Sequence, residues 1–438
     1  MSIVELVKNA GVVGAGGAGF PTHVKIDAKA DIVIANGAEC EPLLQSDQRA
    51  MDLYTDQLIA GLRLVMQQVG AERGFIAVKE KHHVLVQKIR ESLATETSME
   101  LLPLENMYPA GDEHVLVNLA TGRVVPEGGI PLNVGVVVTN VATLINIYYA
   151  SQGQPVIERL VTVIGEVANP AVVRVPIGTP VSTIISALGG MKSDDCVVIS
   201  GGPMMGEMLA DLNSPITKLT SGLIVLPRNH KVVTLKSQKP QNHFIKARST
   251  CCQCNYCTLM CPRYQLGHNL EPHKVMRALG GAIDERLEDF TQAYLCSECG
   301  ICGFYACVHE LMPIQINRML KQRLRQAQIP NLHQRTDVAK RNPVLPTGIP
   351  ADRLLRRIGL GAYDVKTPLD EVQVTPREVF LPLRQHIGAP AEARVQVGDR
   401  VERGQLIGEI PAGSLGARIH ASISGEVVAV TDTVVIRA

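Results

Sequence analysis

The sequence contains no tryptophan, and phenylalanine and tyrosine bring the aromatic share to only 3%. Proteins that bind single-stranded nucleic acid stack bases on aromatic side chains, and this chain has few such platforms. It also lacks an excess of charge: 43 Lys and Arg stand against 42 Asp and Glu, a formal net charge of +1. Binding a phosphate backbone needs a broad positive field, so nucleic acid is not an expected partner. No apolar run reaches the roughly 18 to 20 residues of a spanning helix. The best candidate, Val134 to Ala150, carries Thr139, Asn140 and Asn146. The N-terminus has Glu5 and Lys8 among its apolar residues and no hydrophobic stretch leading to a small-residue cleavage site, so neither a transmembrane segment nor a secretory signal is expected.

What is present points to a folded, multidomain chain. Its 438 residues are 46% hydrophobic and 19% charged, enough for about three domains with cores of their own. Eleven cysteines in a chain without a secretory signal are expected to be metal ligands in a reducing, cytoplasmic setting rather than a disulfide framework.

Along the chain, short apolar runs at Asp31–Ala35, Gly74–Lys79 and Val134–Val138 alternate with helical spacing such as Leu58, Leu62, Val65, Met66 and Val69. This predicts a mainly parallel sheet with helices on both faces over residues 1–155, with ligands beyond the carboxyl ends of its strands. Residues 156–230 read as a small α+β module with strands at Leu160–Ile164, Cys196–Ser200 and Gly222–Leu226. Residues 228–249 carry six basic side chains and no acid, which predicts a linker. A cysteine-rich module is expected over 240–328 and a basic linker over 329–370, where Pro330, Pro343, Pro346 and Pro350 break any long helix. A docking surface for an acidic partner is the alternative for these basic segments. Residues 371–438 look like a biotinyl/lipoyl-type barrel-sandwich. No lysine follows Lys366, so a swinging-arm attachment residue is missing and a structural role is expected.

The cysteines carry the most specific signal. Cys251, Cys254, Cys257 and Cys261, followed by Pro262, have the spacing of bacterial ferredoxins. Cys296, Cys299, Cys302 and Cys307 repeat the first spacings, with one extra residue before the last cysteine and Val308 in place of proline. Three thiolates at every third position suit the irons of a cubane, whereas zinc usually draws on two separated pairs; structural zinc is the alternative. Because the last cysteine of each run ligates the other cluster in two-cluster ferredoxins, one [4Fe-4S] centre is assigned to Cys251, Cys254, Cys257 and Cys307. The other is assigned to Cys296, Cys299, Cys302 and Cys261. Cys252 is expected to be a spectator and Cys196 to be packing.

Gly14-Ala15-Gly16-Gly17-Ala18-Gly19 satisfies a dinucleotide-binding expression but follows a helical segment, so the expression alone is weak. Four ordered segments carry more. Gly14–Pro21 with Lys25, Asn36–Pro42, Tyr108–Glu113 and Val138–Thr143 resemble the segments forming the FMN and NADH site in the flavoprotein subunit of respiratory complex I. The whole chain resembles the Rnf-complex C subunits and, more closely, the cobalamin (corrin) reductases of propanediol-utilisation microcompartments.

That resemblance implies a multidomain α/β protein: a flavin-binding α/β domain, a soluble-ligand-binding β-grasp module, a two-cluster ferredoxin-like helical module and a C-terminal barrel-sandwich segment. It implies that Gly14, Gly16, Gly17, Gly19, Lys25, Asn36, Glu39, Gly111, Asp112, Asn140 and Thr143 line FMN. Phe20, Glu41, Tyr108 and Glu113 would face the nicotinamide nucleotide. The implied activity is an NADH-dependent reductase passing electrons through FMN and two [4Fe-4S] clusters to cobalamin, Co(III) to Co(II) to Co(I), for reactivation of a diol dehydratase. The implied partners are NADH, cobalamin, an adenosyltransferase and other microcompartment proteins, inside a bacterial microcompartment. The β-grasp module, including the turn Gly201–Gly206, is the expected place for corrinoid, and a packing module with a tight turn is the alternative. An electron-entry subunit of a membrane complex and a non-enzymatic redox scaffold are the competing expectations.

Overall fold

The first residues specify the first helix. The Ser2 hydroxyl accepts from the Glu5 amide and the Glu5 carboxylate accepts from the Ser2 amide, a capping box that opens Ile3–Asn9. The computed structural model describes residues 1–279, 287–341, 348–368 and 372–438. Pro343 and Pro346, read above as linker prolines, and the first residue of the expected barrel-sandwich segment, Glu371, lie outside the described residues.

The N-terminal domain is built on β1 (Ile32–Gly37), β2 (Arg73–Lys79), β3 (Met99–Leu104) and, after a short β4 (Met107–Tyr108), β5 (Val136–Asn140). The four long strands are parallel in the order β3-β2-β1-β5. Alternate residues go to opposite faces: Val33, Ala35, Ile76 and Val78 pack with Leu58, Leu62 and Leu144, while Ile34, Phe75, Ala77 and Val138 pack with Leu116 and Val117. Burial on both faces explains the unbroken apolar runs. The edge strand β3 has no such run and contains Pro103, which only an edge accommodates easily. Gly61 lets Thr55–Val69 lie directly on Val141–Ser151, since a Cβ there would stand 2.1 Å from the Leu144 carbonyl oxygen.

A six-stranded sheet follows, made of β6 (Glu158–Gly165), β7 (Ala171–Pro176), β8 (Cys196–Ser200), β9 (Glu207–Met208), β10 (Gly222–Pro227) and a late β12 (Val372–Gln373). Helix Val181–Ala187 closes its core. The segment 228–249, expected as a linker, is helical at Lys231–Ser237 and Pro240–Thr250. Val232, Val233 and Leu235 are buried there, so this stretch is largely packed helix. The basic segment 329–370 is likewise tied down where it is described. Arg335 pairs with Glu127 at 2.6 Å, β11 (Ile349–Pro350) pairs with β4, and Ala351–Ile358 buries Leu354, Leu355 and Ile358. These partners come from distant parts of the chain, which local composition does not reveal.

The C-terminal residues form two small antiparallel sheets, one including Glu378–Pro382, Gly425–Val430 and Thr433–Arg437, the other Leu406–Glu409 and Ile419–His420. Val379, Leu381, Ile407, Val434 and Ile436 share a core with the N-terminal domain. This module is fused to the body rather than carried on an arm. No helix among the described residues is long and apolar enough to cross a membrane.

Candidate functional site

The glycine-rich loop hangs between two fixed ends. Val13 bridges to Pro21, and the Gly14 amide donates to the Phe20 carbonyl at 2.9 Å. From within the protein, the Ala15 amide donates to Thr143 Oγ1 at 2.9 Å and Arg159 Nη2 donates to the Ala15 carbonyl at 2.7 Å. Gly16, Gly17 and Ala18 remain exposed. Gly17 takes φ 129°, and a Cβ there would meet nothing within 4 Å, so its backbone is presented to open space. The site lies where the sheet should bind ligands, beyond Asn36 of β1 and Asn140 of β5, which also caps helix Val141–Ser151 through the Ala142 amide.

Around this loop the structure brings most of the expected residues together. Asn36 Nδ2 donates to the Gly111 carbonyl at 2.9 Å, joining the end of β1 to the segment that leads into helix Glu113–Thr121. Asn140 Nδ2 donates to Asp47 at 2.6 Å, and Lys25 pairs with Glu113 at 3.3 Å on the open side. Glu39 is committed differently: its carboxylate accepts from the amides of Asp47 and Gln48 at 2.8 and 2.9 Å, holding the start of helix Ser46–Leu53. Burial, then Asp47, pushes Glu39 up to about 7 against those hydrogen bonds. Cys40 is pushed up to about 12, chiefly by burial, so it is a neutral thiol in the wall.

Three expected contacts take another form. Glu41, expected to face a nicotinamide nucleotide, accepts instead from the amides of Met204 and Met205, both at 2.9 Å. Lys236 donates to the carbonyls of Met204, at 3.2 Å, and Gly206. The Met204 and Met205 amides and the Met204 and Gly206 carbonyls are therefore used in holding the β-grasp turn to the flavin-domain segment after β1 and to Lys236, the packing role given above as the alternative. Tyr108 is buried and its hydroxyl donates to the Cys299 carbonyl at 2.5 Å, toward the cysteine-rich module. Asp112 caps helix Glu113–Thr121 and pairs with Arg263 at 2.7 Å, both side chains being buried. Burial alone would raise the Asp112 carboxyl; Arg263, His114 and the Val115 amide hold it below its ordinary value.

Several participants escaped the sequence reading. Lys79, at the end of β2, is buried and donates to the Glu39 carbonyl at 3.2 Å; burial pushes its ammonium down. Lys236, Asp47, Arg159 and Arg263 are the others. A lysine ending a parallel strand is the one local clue; the rest sit in segments without a motif. Asp47 and Arg159 also line a cavity of about 510 Å³ between the N-terminal domain, the six-stranded sheet and the C-terminal module.

Cys251, Cys252, Cys254, Cys257 and Cys307 line one hollow. Burial first, then the thiols of Cys251, Cys307 and Cys254, push Cys257 up to about 12. Cys302 is raised by burial and then by Cys296, Cys299, Cys257 and Cys261, so these thiols are neighbours. Both runs wind alike: Gln253 and Asn255 take φ 56° and 65°, and Glu298 and Gly300 take φ 61° and 81°, at matching offsets from Cys251 and Cys296. Three of these four are not glycine, a conformation costing about 1–2 kcal/mol per residue. The extra residue of the second run is absorbed by a π-turn over Cys302–Ala306, where the Cys307 amide donates to the Cys302 carbonyl at 3.2 Å.

Among the described residues no three His, Cys, Asp or Glu side chains form a group that could hold a single metal ion. A mononuclear zinc site draws its ligands onto one centre, whereas a cubane takes each thiolate on a different iron. The all-sulfur donors and the amides directed at Cys296 and Cys307 Sγ, both at 3.4 Å, suit the cubane.

Comparison with known proteins agrees module by module. Residues 7–149 match the Nuo51 FMN-binding domain, 160–207 the SLBB domain, 250–312 the 4Fe-4S dicluster domain and 364–438 the RnfC barrel sandwich hybrid domain. Fold and site together define a flavo-iron-sulfur oxidoreductase that takes FMN and iron-sulfur clusters. Over 434 residues the chain is 42% identical to cobalamin reductase PduS of Salmonella typhimurium, covering 98% of this chain and 95% of that protein. The corresponding protein of Citrobacter freundii is 41% identical over 439 residues, with 98% and 95% covered. The C subunit of the Na(+)-translocating ferredoxin:NAD(+) oxidoreductase complex of Acetobacterium woodii is 38% identical over 267 residues, 60% of this chain and 58% of that one. The chain belongs to the PduS cobalamin reductase family.

Proposed function

We propose that this oxidoreductase takes electrons from NADH and delivers them singly to cobalamin, carrying Co(III) to Co(II) and on to Co(I). The observation that carries the reading is direct contact between the flavin-domain segment 108–112 and the cysteine-rich module, through Tyr108 with Cys299 and Asp112 with Arg263. A donor of electron pairs and carriers of single electrons need a converter, and FMN supplies that chemistry when bound.

Within this reading the exposed part of the loop, Gly16–Ala18, offers backbone amides to an anionic group, with Lys25 as a nearby cation. Asn36, Gly111, Asn140 and Thr143 form the wall, and Phe20 and Glu113 stand on the open side for the nucleotide. The crossed thiol sets hold the two clusters. Cobalamin as acceptor is supported by the name of the PduS relatives. Work beside an adenosyltransferase within a microcompartment, serving a cobalamin-dependent diol dehydratase, completes the proposal.

The test is anaerobic purification with flavin, iron and sulfide quantitation, followed by NADH-driven reduction of cob(III)alamin. Turnover without any membrane fraction supports the reading. Turnover only when a membrane complex is added would instead favour an electron-entry subunit, and a preparation without flavin or NADH oxidation would leave a scaffold.

A further inference from the structure

The two cysteine sets are not equivalent with respect to the flavin domain. Both bonds described above reach the second set. Tyr108 donates to the carbonyl of Cys299 itself, and Arg263, which pairs with Asp112, is two residues from Cys261. Asp112 in turn follows Gly111, whose Cβ position would lie 3.0 Å from Cys40 and 3.2 Å from Ala38 at the end of β1. Met204 joins the same junction, with its methyl 3.5 Å from the Cβ position of Gly300, next to Cys299.

The second set is also the more enclosed. Cys261 and Cys302 are buried and Cys296 and Cys299 half-buried, whereas Cys254 of the first set is exposed along with its neighbours Cys252, Tyr256 and Val308. Glu298, between Cys296 and Cys299, is held by Arg318 at 2.9 Å and Lys321 at 2.8 Å, which fixes this run on helix Pro313–Gln326. No described residue of the flavin-domain segment 108–112 makes a hydrogen bond or ion pair to the first run.

We propose that the set Cys261, Cys296, Cys299 and Cys302 is the flavin-proximal relay and the set Cys251, Cys254, Cys257 and Cys307 the outer one, from which electrons leave at the Cys254 edge. Tyr108 and the Asp112–Arg263 pair are positioning residues that set the first gap. Each transfer oxidises the donor by one electron and reduces one [4Fe-4S] centre from the 2+ to the 1+ state; between the clusters no proton and no ligand changes place. The inference rests on the function proposed above.

The experiment uses the full chain, reconstituted anaerobically, with the flavin photoreduced by a sacrificial tertiary amine in the absence of NADH, so that its result does not depend on the identity of the physiological donor. Dithionite-reduced EPR first establishes which cluster each variant retains. In Cys257→Ala the second-set signal should develop after photoreduction as fast as in the parent protein. In Cys299→Ala the first-set signal should develop more slowly by an order of magnitude or more. Equal rates for the first set in Cys299→Ala and the parent, or loss of second-set reduction in Cys257→Ala, would overturn the order. Should Cys299→Ala fail to fold, Tyr108→Phe decides through potentiometry: removal of a hydroxyl donor beside Cys299 should move the midpoint potential of the second set and leave the first in place. No shift, or a shift confined to the first set, overturns it. Failure of NADH to bleach the flavin would count against the proposed function alone.

Discussion

Asp112 and Arg263, 151 residues apart in sequence, form a buried ion pair at 2.7 Å that joins the flavin domain to the cysteine-rich module. Removing one partner of such a pair leaves the other charge enclosed without compensation, at about 3–5 kcal/mol. Asp112→Ala should therefore lower unfolding free energy by about that amount, while Asp112→Asn, which keeps an acceptor for the amides of His114 and Val115, should lose less. Chemical denaturation of the two variants side by side checks the ranking.

Glu41 is expected to behave as a structural clamp. Glu41→Ala strands the amides of Met204 and Met205 and the nearby Lys236 ammonium, for a loss of about 1–3 kcal/mol. Limited proteolysis should show faster cleavage within residues 201–206, with Glu41→Gln intermediate. A variant that kept parental stability and proteolysis but bound NADH poorly would return Glu41 to the nucleotide.

Cysteine replacement should subtract one cluster at a time. The parent protein should hold about eight irons, and Cys257→Ala about four, with flavin content retained because the core of Val7, Ala10 and Val12 beside the glycine loop does not include Cys257. Iron and flavin analysis of the same sample decides this; loss of flavin together with iron would show that the two modules do not fold independently.

Lys218 supplies a pH signature. Its ammonium is buried where the three outer modules meet, donating to the Gly11 carbonyl at 2.6 Å and the Arg418 carbonyl at 2.7 Å, and burial pushes it from 10.5 down to about 7. Between those two values the unfolded chain binds more protons than the folded one at this residue, so its contribution makes stability rise with pH. Lys218→Met should flatten that rise in thermal unfolding followed from pH 7 to 10.5. An unchanged slope would mean that Lys218 stays charged in its cage of carbonyls.

The local chemistry of function was legible without coordinates. Cysteine spacing is a covalent property and survives any packing, so both runs could be read directly; so could the glycine loop and most of the parallel strands, whose apolar runs record burial on two faces. The chain's own order also fixed the succession of modules. Tertiary structure decided what depends on partners far away in sequence. It turned the basic stretches into packed helices and paired strands, gave Glu41 to the Met204 and Met205 amides, aimed Tyr108 at Cys299, and brought Lys79 and Arg263 into the site. It also converted the irregular spacing before Cys307 into a π-turn. A carboxylate or guanidinium carries no mark in sequence of the group that will neutralise it, because that choice is made by desolvation and proximity after the chain has folded.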